Sequence, residues 1–261
     1  MTSFGAQALP PFPPVSDRYR RLANLRDLAG LRLAGAGTVA AGVLYRSDAP
    51  YPGDLAPDAV PVWPPATVID LRSSGETVAT YRWPAGVTWH HLPLIRQAAV
   101  VGADSGPVSP ADQLPRSLEA LYRRIIEILP RKLASLLAMT ADSAGPVLVH
   151  CTVGKDRTGI AIAVLLLVGG VKPADVVADY TASGPNVPAL LERLRALGRS
   201  LPANVQGGSE LLGTPADAIN IVVERLTGWP GGPQAWAQAH GATAENIRRW
   251  HSRLAAGDSP R

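Results

Sequence analysis

Val147-Leu148-Val149-His150-Cys151-Thr152-Val153-Gly154-Lys155-Asp156-Arg157-Thr158-Gly159 is the stretch that decides the fold. Gly145 and Pro146 end whatever precedes it. Val147 to Val149 is a short apolar run rich in β-branched residues and reads as a buried strand. Ile160 to Val168 is uninterrupted apolar sequence and reads as a buried helix, stopped by Gly169-Gly170. The tight loop between strand and helix carries the chain's one cysteine, Cys151.

That loop suits a phosphate. Backbone N–H groups of a loop opening a helix converge into an anion nest, and the helix dipole adds partial positive charge. The backbone from Thr152 to Arg157, with Val153, Gly154 and Lys155 between, supplies these amides. Gly154 permits a positive φ and close backbone approach. Arg157 closes the ring with a planar fork that matches two phosphate oxygens. The same field favours a thiolate at Cys151, placed to attack phosphorus. Thr158 is positioned to hydrogen-bond the sulfur as it leaves.

His150 to Gly159 resembles the His-Cys-x5-Arg-Ser/Thr signature of protein tyrosine phosphatases. The ending Gly154-Lys155-Asp156-Arg157-Thr158-Gly159 is similar to one branch, the bacterial atypical tyrosine and phosphoinositide phosphatases of mycobacteria and other actinobacteria. Further matches to that branch occur in the expected order: Asn24 to Gly30, Leu44 to Asp48, Val68 to Arg72, His91 to Leu94, and Asp179-Tyr180. The resemblance runs from about Asn24 to Leu254. It implies a tyrosine-phosphatase-like α/β fold, with a central, mostly parallel sheet of four or five strands, flanking helices and a helical C-terminal part.

The resemblance also implies roles. Cys151 is the nucleophile of a phosphocysteine mechanism, and Arg157 binds phosphate and stabilises the equatorial oxygens in the transition state. The leaving oxygen needs a proton and the attacking water must lose one. The branch places an acid immediately before the arginine, so Asp156 is the first choice. Asp104 and Asp112, in a long unpatterned stretch upstream of the cysteine, and Asp70, at a strand end, are alternatives. Trp83-Pro84-Ala85 is a near miss to the Trp-Pro-Asp acid loop, lacks the carboxylate and reads as a turn. Lys155 either meets a second phosphate of an inositol headgroup or is a surface lysine. His150 either orients the loop and favours the thiolate or is a core histidine, and Asp70 is either a supporting residue or half of an internal salt bridge. Arg26 and Asp27 are expected close to the loop. The implied substrates are phosphotyrosyl proteins, with phosphoinositides as the alternative, and no cofactor or metal is required.

Composition sets bounds. The chain has 261 residues and is 46% hydrophobic, enough for one large domain with a substantial core. We expect a flexible N-terminal arm over 1–16, a phosphatase domain over 17–256, and a possible lid over 184–213. A single cysteine excludes an internal disulfide, which fits a reducing compartment. The net charge of +4 suits an anionic substrate and is too diffuse for nucleic acid. The proline-rich start has no Lys or Arg in its first fifteen residues, so it is not a signal peptide. Ile160 to Val171 is too short to span a bilayer. A cytoplasmic location, or secretion without a cleaved signal, is expected; oligomeric state is open.

Among local patterns, Val39–Arg46, Ala66–Leu71 and Val87–Leu92 read as strands, and Leu55–Val60 as a short helix. Leu114–Leu129 shows an apolar face of Leu118, Leu121, Ile125, Ile128 and Leu129. Helices are also expected over Arg131–Met139, Pro173–Ser183, Val187–Leu197, from Thr214-Pro215 onward, Pro233–His240 and Ala244–Ala255. Two readings compete with an enzyme of this class: a catalytically silent phosphate-binding module, and a rhodanese-like sulfurtransferase, which the Cys-x5-Arg-Thr spacing disfavours.

Overall fold

The computed structural model of the chain describes residues 15–77, 81–94, 117–199 and 210–255. Asp104 and Asp112, residues 1–14 of the expected arm and 200–209 of the expected lid lie outside the described residues.

The fold is α/β, as expected. Five strands form one sheet in the order β1-β2-β5-β3-β4: β1 (Arg26–Asp27), β2 (Leu44–Ser47), β3 (Thr67–Asp70), β4 (Thr88–His91) and β5 (Val147–His150). All pairings are parallel except the short antiparallel edge of β1 on β2. β5 lies in the middle. Its Val149 is registered with Arg46 on one side and Ile69 on the other, and its His150 with Ser47 and Asp70. The carboxyl ends of three parallel strands therefore meet beside Cys151, where open α/β sheets place their ligands.

Helices pack on the sheet face that carries Leu44, Ile69, Val147 and Val149, whereas Tyr45, Val68 and Leu148 on the opposite face pack against Val60, Trp63, Trp83 and Val87 of the connecting segments. The helices are α1 (Leu118–Ile128), α2 (Pro130–Ala141), α3 (Asp156–Val168), α4 (Pro173–Thr181), α5 (Val187–Ala196), α6 (Ala216–Thr227), α7 (Gly232–Ala239) and α8 (Ala244–Ala255). α3 is buried from Arg157 to Val168, which explains its uninterrupted apolar sequence. Trp250 of α8 donates its indole N–H to the carbonyl of Leu165, 2.8 Å away, tying the C-terminal helix to α3. None of the described helices is long and apolar enough to cross a membrane.

Local expectations shifted in three places. The strand expected from Val39 shortens to Leu44–Ser47, because Gly42 takes a φ of +74° and turns the chain before it. Leu55–Val60 forms no helix; Pro57 and the nearby Pro61 remove backbone donors there. On α1 the buried residues are Leu118, Tyr122, Ile125 and Ile126, whereas Ile128 is exposed. Leu121 and Leu129 pack partly buried against the core as expected, so the face departs from the expectation at Ile128, which is out, and at Tyr122 and Ile126, which are in.

Candidate active site

The loop leaves β5 at His150 and enters α3 at Asp156. Cys151 is buried at its base, and the amide of Gly154 donates toward its sulfur at 3.3 Å. Gly154 is required twice over. Its φ is +70°, and a Cβ there would lie 2.4 Å from the carbonyl carbon of Ser47. The loop is thus pressed against the end of β2 with the Gly154 amide turned toward the sulfur.

Inward amides need carbonyls that face out and find donors. Asn24 Nδ2 donates to the carbonyl of Gly154 at 3.0 Å, and Arg46 Nη2 donates to the same oxygen at 2.9 Å. Arg46 is fully buried and is neutralised by Asp179 of α4. Asp179 also receives Arg26 Nε at 2.8 Å. One buried carboxylate therefore holds two guanidiniums, one of which supports the loop backbone. Arg26 reaches the loop through Asn24, whose Oδ1 accepts from its Nη1 at 2.7 Å. The Asp27 carboxylate accepts from the amides of Ala29 and Gly42 and fixes a turn.

Arg157 lies across the loop. Its Nη1 and Nη2 meet the two carboxylate oxygens of Glu76 at 2.6 and 2.7 Å. Thr152 donates its hydroxyl to Glu76 as well, and Ser73 donates from both its amide and its hydroxyl. Burial alone would raise the carboxyl pKa of Glu76. Arg157 and Thr152 outweigh it and lower the value to about 2. Burial likewise opposes the charge of Arg157, but Glu76 and Cys151 overcome it and strengthen its hold on its proton. The guanidinium is a permanent cation in the field of the sulfur.

Asp70 serves that arrangement from behind. Its carboxylate takes Arg72 Nε at 3.0 Å and Nη2 at 2.7 Å, with both side chains fully buried. Arg72 in turn donates to the carbonyl of Glu76 at 3.4 Å. Burial pushes the Asp70 pKa up, but His150 and Arg72 bring it below the ordinary value. Both oxygens of Asp70 are taken by Arg72 inside a fully buried pair. His150 Nε2 is 3.9 Å from Asp70 Oδ2. Burial lowers its pKa to about 4, so the imidazole is neutral near pH 7 and adds no positive charge to the loop.

Asp156 opens α3. Its Oδ1 accepts from Lys155 Nζ at 2.5 Å and from the hydroxyl of Tyr122 at 3.1 Å. Lys155 is buried, and its ammonium also donates to the carbonyls of Leu211 and Gly213 at 3.0 and 2.9 Å. It points into the protein and is not the surface lysine that the sequence also allowed. Val153 lends its carbonyl to Asn24 at 3.4 Å. The hydroxyl of Thr158 is buried without a partner among the described residues.

The structure brings Cys151, Arg157 and Asp156, named from the sequence, together with Glu76, Asn24, Arg46 and Tyr122, which the sequence reading did not name as site residues. Glu76 carried a usable signal: it is an acid six residues after Asp70, just beyond a strand end beside the loop. Tyr122 carried none, because a tyrosine on an amphipathic helix looks like core.

One loop thus gathers a buried thiol, the Gly154 amide that approaches it and a buried guanidinium at the start of α3, the arrangement that the sequence resemblance to tyrosine phosphatases implies. The comparisons agree: the tyrosine phosphatase family profile matches residues 18–256, and the chain belongs to that family. It is 29% identical over 170 residues to a Cupriavidus necator protein with a provisional tyrosine-protein phosphatase name, covering 63% of this chain and 62% of that one. It is 32% identical over 152 residues to the triple specificity protein phosphatase PtpB of Mycobacterium tuberculosis, covering 49% of this chain and 55% of PtpB. A tyrosine-protein phosphatase of Nostoc commune is 49% identical over 45 residues. The matched regions span less than two thirds of each of these relatives.

Proposed function

We propose that the chain hydrolyses phosphate monoesters through a phosphocysteine at Cys151, with phosphotyrosine in proteins as its substrate class. The observation that carries this reading is the approach of the Gly154 amide to the Cys151 sulfur in the loop that Arg157, at the start of α3, closes. Sulfur attacks phosphorus while the loop amides and Arg157 hold the equatorial oxygens. Asp156 protonates the leaving oxygen and then accepts a proton from the water that attacks the phosphocysteine. Cys151 is 2% exposed, so the phosphate must be presented on a long arm, which an aryl ester supplies.

Similarity to a phosphatase named for triple specificity supports a second substrate class, phosphoinositides. The intact pair Cys151 and Arg157 argues against a silent phosphate-binding module. Inorganic phosphate release from a phosphotyrosine peptide and from short-chain phosphoinositides, with Cys151→Ser as control, tests the reading. Release well above the control from the peptide supports it. Release at the control level from both substrates, under reducing conditions, overturns it.

A further inference from the structure

The carboxylate of Asp156 is held on one side. Oδ1 takes both Lys155 Nζ, at 2.5 Å, and the Tyr122 hydroxyl, at 3.1 Å. Oδ2 has no hydrogen-bond partner among the described residues, and the side chain is 23% exposed. The two oxygens therefore differ in kind.

Hydrogen counting fixes the roles. An ammonium only donates, so Oδ1 must accept, and a proton placed on Oδ1 would face Lys155 directly. A phenol has one hydrogen. Tyr122 lies 2.9 Å from the hydroxyl of Tyr180 and within reach of Oδ1. With Oδ1 bound to accept, Tyr122 donates to Asp156 and Tyr180 donates to Tyr122. Tyr122 is fully buried, and burial beside Asp156 and Tyr180 raises its pKa well above the ordinary value, so it stays a donor. Gly159 makes room for this chain of hydroxyls: a Cβ there would come within 2.9 Å of the Tyr180 ring.

We infer that Tyr122, on α1, is a positioning residue for Asp156, fixing Oδ1 so that Oδ2 carries the proton delivered to the leaving oxygen. The inference rests on the proposed role of Asp156 as proton donor. As the Sγ–P bond forms, the P–O bond breaks, its electron pair stays on the leaving oxygen, and that oxygen takes the proton from Oδ2. When water attacks the phosphocysteine, its proton returns to Oδ2 and the P–S electron pair returns to sulfur. Oδ1 accepts from Tyr122 and Lys155 throughout.

The test uses leaving groups. An acid matters little for p-nitrophenyl phosphate, whose leaving group needs no proton, and much for phenyl phosphate. Tyr122→Phe keeps the ring and removes the hydroxyl. We expect kcat on phenyl phosphate to fall about tenfold more than on p-nitrophenyl phosphate, with vanadate inhibition unchanged. Tyr180→Phe, which removes the second hydroxyl of the chain, should move the same ratio in the same direction by less, and stands in if Tyr122→Phe fails to fold. Equal losses on both substrates in Tyr122→Phe, or in Tyr180→Phe as its stand-in, overturn the inference. Asp156→Asn separates the causes. A steepened ratio in Asp156→Asn with a flat one in the tyrosine variants removes the positioning role alone. A flat ratio in Asp156→Asn removes Asp156 as the acid and the inference with it.

Discussion

The two terminal nitrogens of Arg157 rest on the two carboxylate oxygens of Glu76, at 2.6 and 2.7 Å. This end-on pairing leaves the Nε edge of the fork for a second anion. Glu76 sits on a 3-10 turn, Ser74–Thr77, just after β3, and is itself held by Ser73 and Thr152. Glu76→Gln should lower kcat/KM about 10- to 100-fold and weaken vanadate binding, since a charge-assisted pair that aims the guanidinium is lost. A rise in activity would mean that Glu76 blocks the fork instead of aiming it.

Gly154 is the tightest backbone position in the loop. Gly154→Ala puts a methyl 2.4 Å from Ser47 and forces a residue with a Cβ into a φ of +70°. The left-handed conformation alone costs about 1–2 kcal/mol, and the overlap adds to it. We expect a lower melting temperature by several degrees and loss of vanadate binding. Retention of both would show that the loop is free to reshape.

Asp179 neutralises Arg26 and Arg46 together, and Arg46 supports the carbonyl of Gly154. Asp179→Asn preserves size and leaves Arg46 buried without a counter-charge. Removing one partner of a buried pair costs about 3–5 kcal/mol, so the urea midpoint should fall sharply, and activity with it. A variant of native stability would place Arg46 outside the support of the loop.

His150 makes stability depend on pH. Its folded pKa, about 4, lies below the ordinary 6.5, so the unfolded chain takes up the proton first as pH falls. The stabilising effect is fully present above 6.5 and is lost as pH drops toward 4. At about 1.4 kcal/mol per pH unit, the loss reaches about 3 kcal/mol. His150→Gln should show a shallower decline in unfolding free energy between pH 6.5 and 4 than the unaltered chain. Parallel curves would mean that His150 titrates normally.

The centre of the fold was legible because it is local. Val147 to Val149 and Ile160 to Val168 signal strand and helix by composition alone, and the glycine, cysteine and arginine between them sit at fixed spacing. The structure extends the helix back to Asp156, a boundary that apolar periodicity could not mark. What the sequence withheld is long-range. Tyr122 reaches Asp156 across 34 positions and Glu76 reaches Arg157 across 81. Such pairings depend on how helices and turns pack on the sheet, which spacing along the chain does not encode. Lys155 shows the same limit: from the sequence it reads either as a contact to a second phosphate or as a surface lysine, whereas it is buried with its ammonium on Asp156 and two carbonyls.

The central claim is covalent chemistry at one sulfur. Rapid acid quench during turnover of a phosphotyrosine peptide, followed by peptide mapping by mass spectrometry, reads it directly. The account predicts phosphate on Cys151, its accumulation in Asp156→Asn if dephosphorylation slows more than attack, and none in Cys151→Ser. Phosphate found on another residue, or full turnover in Cys151→Ser, would contradict it.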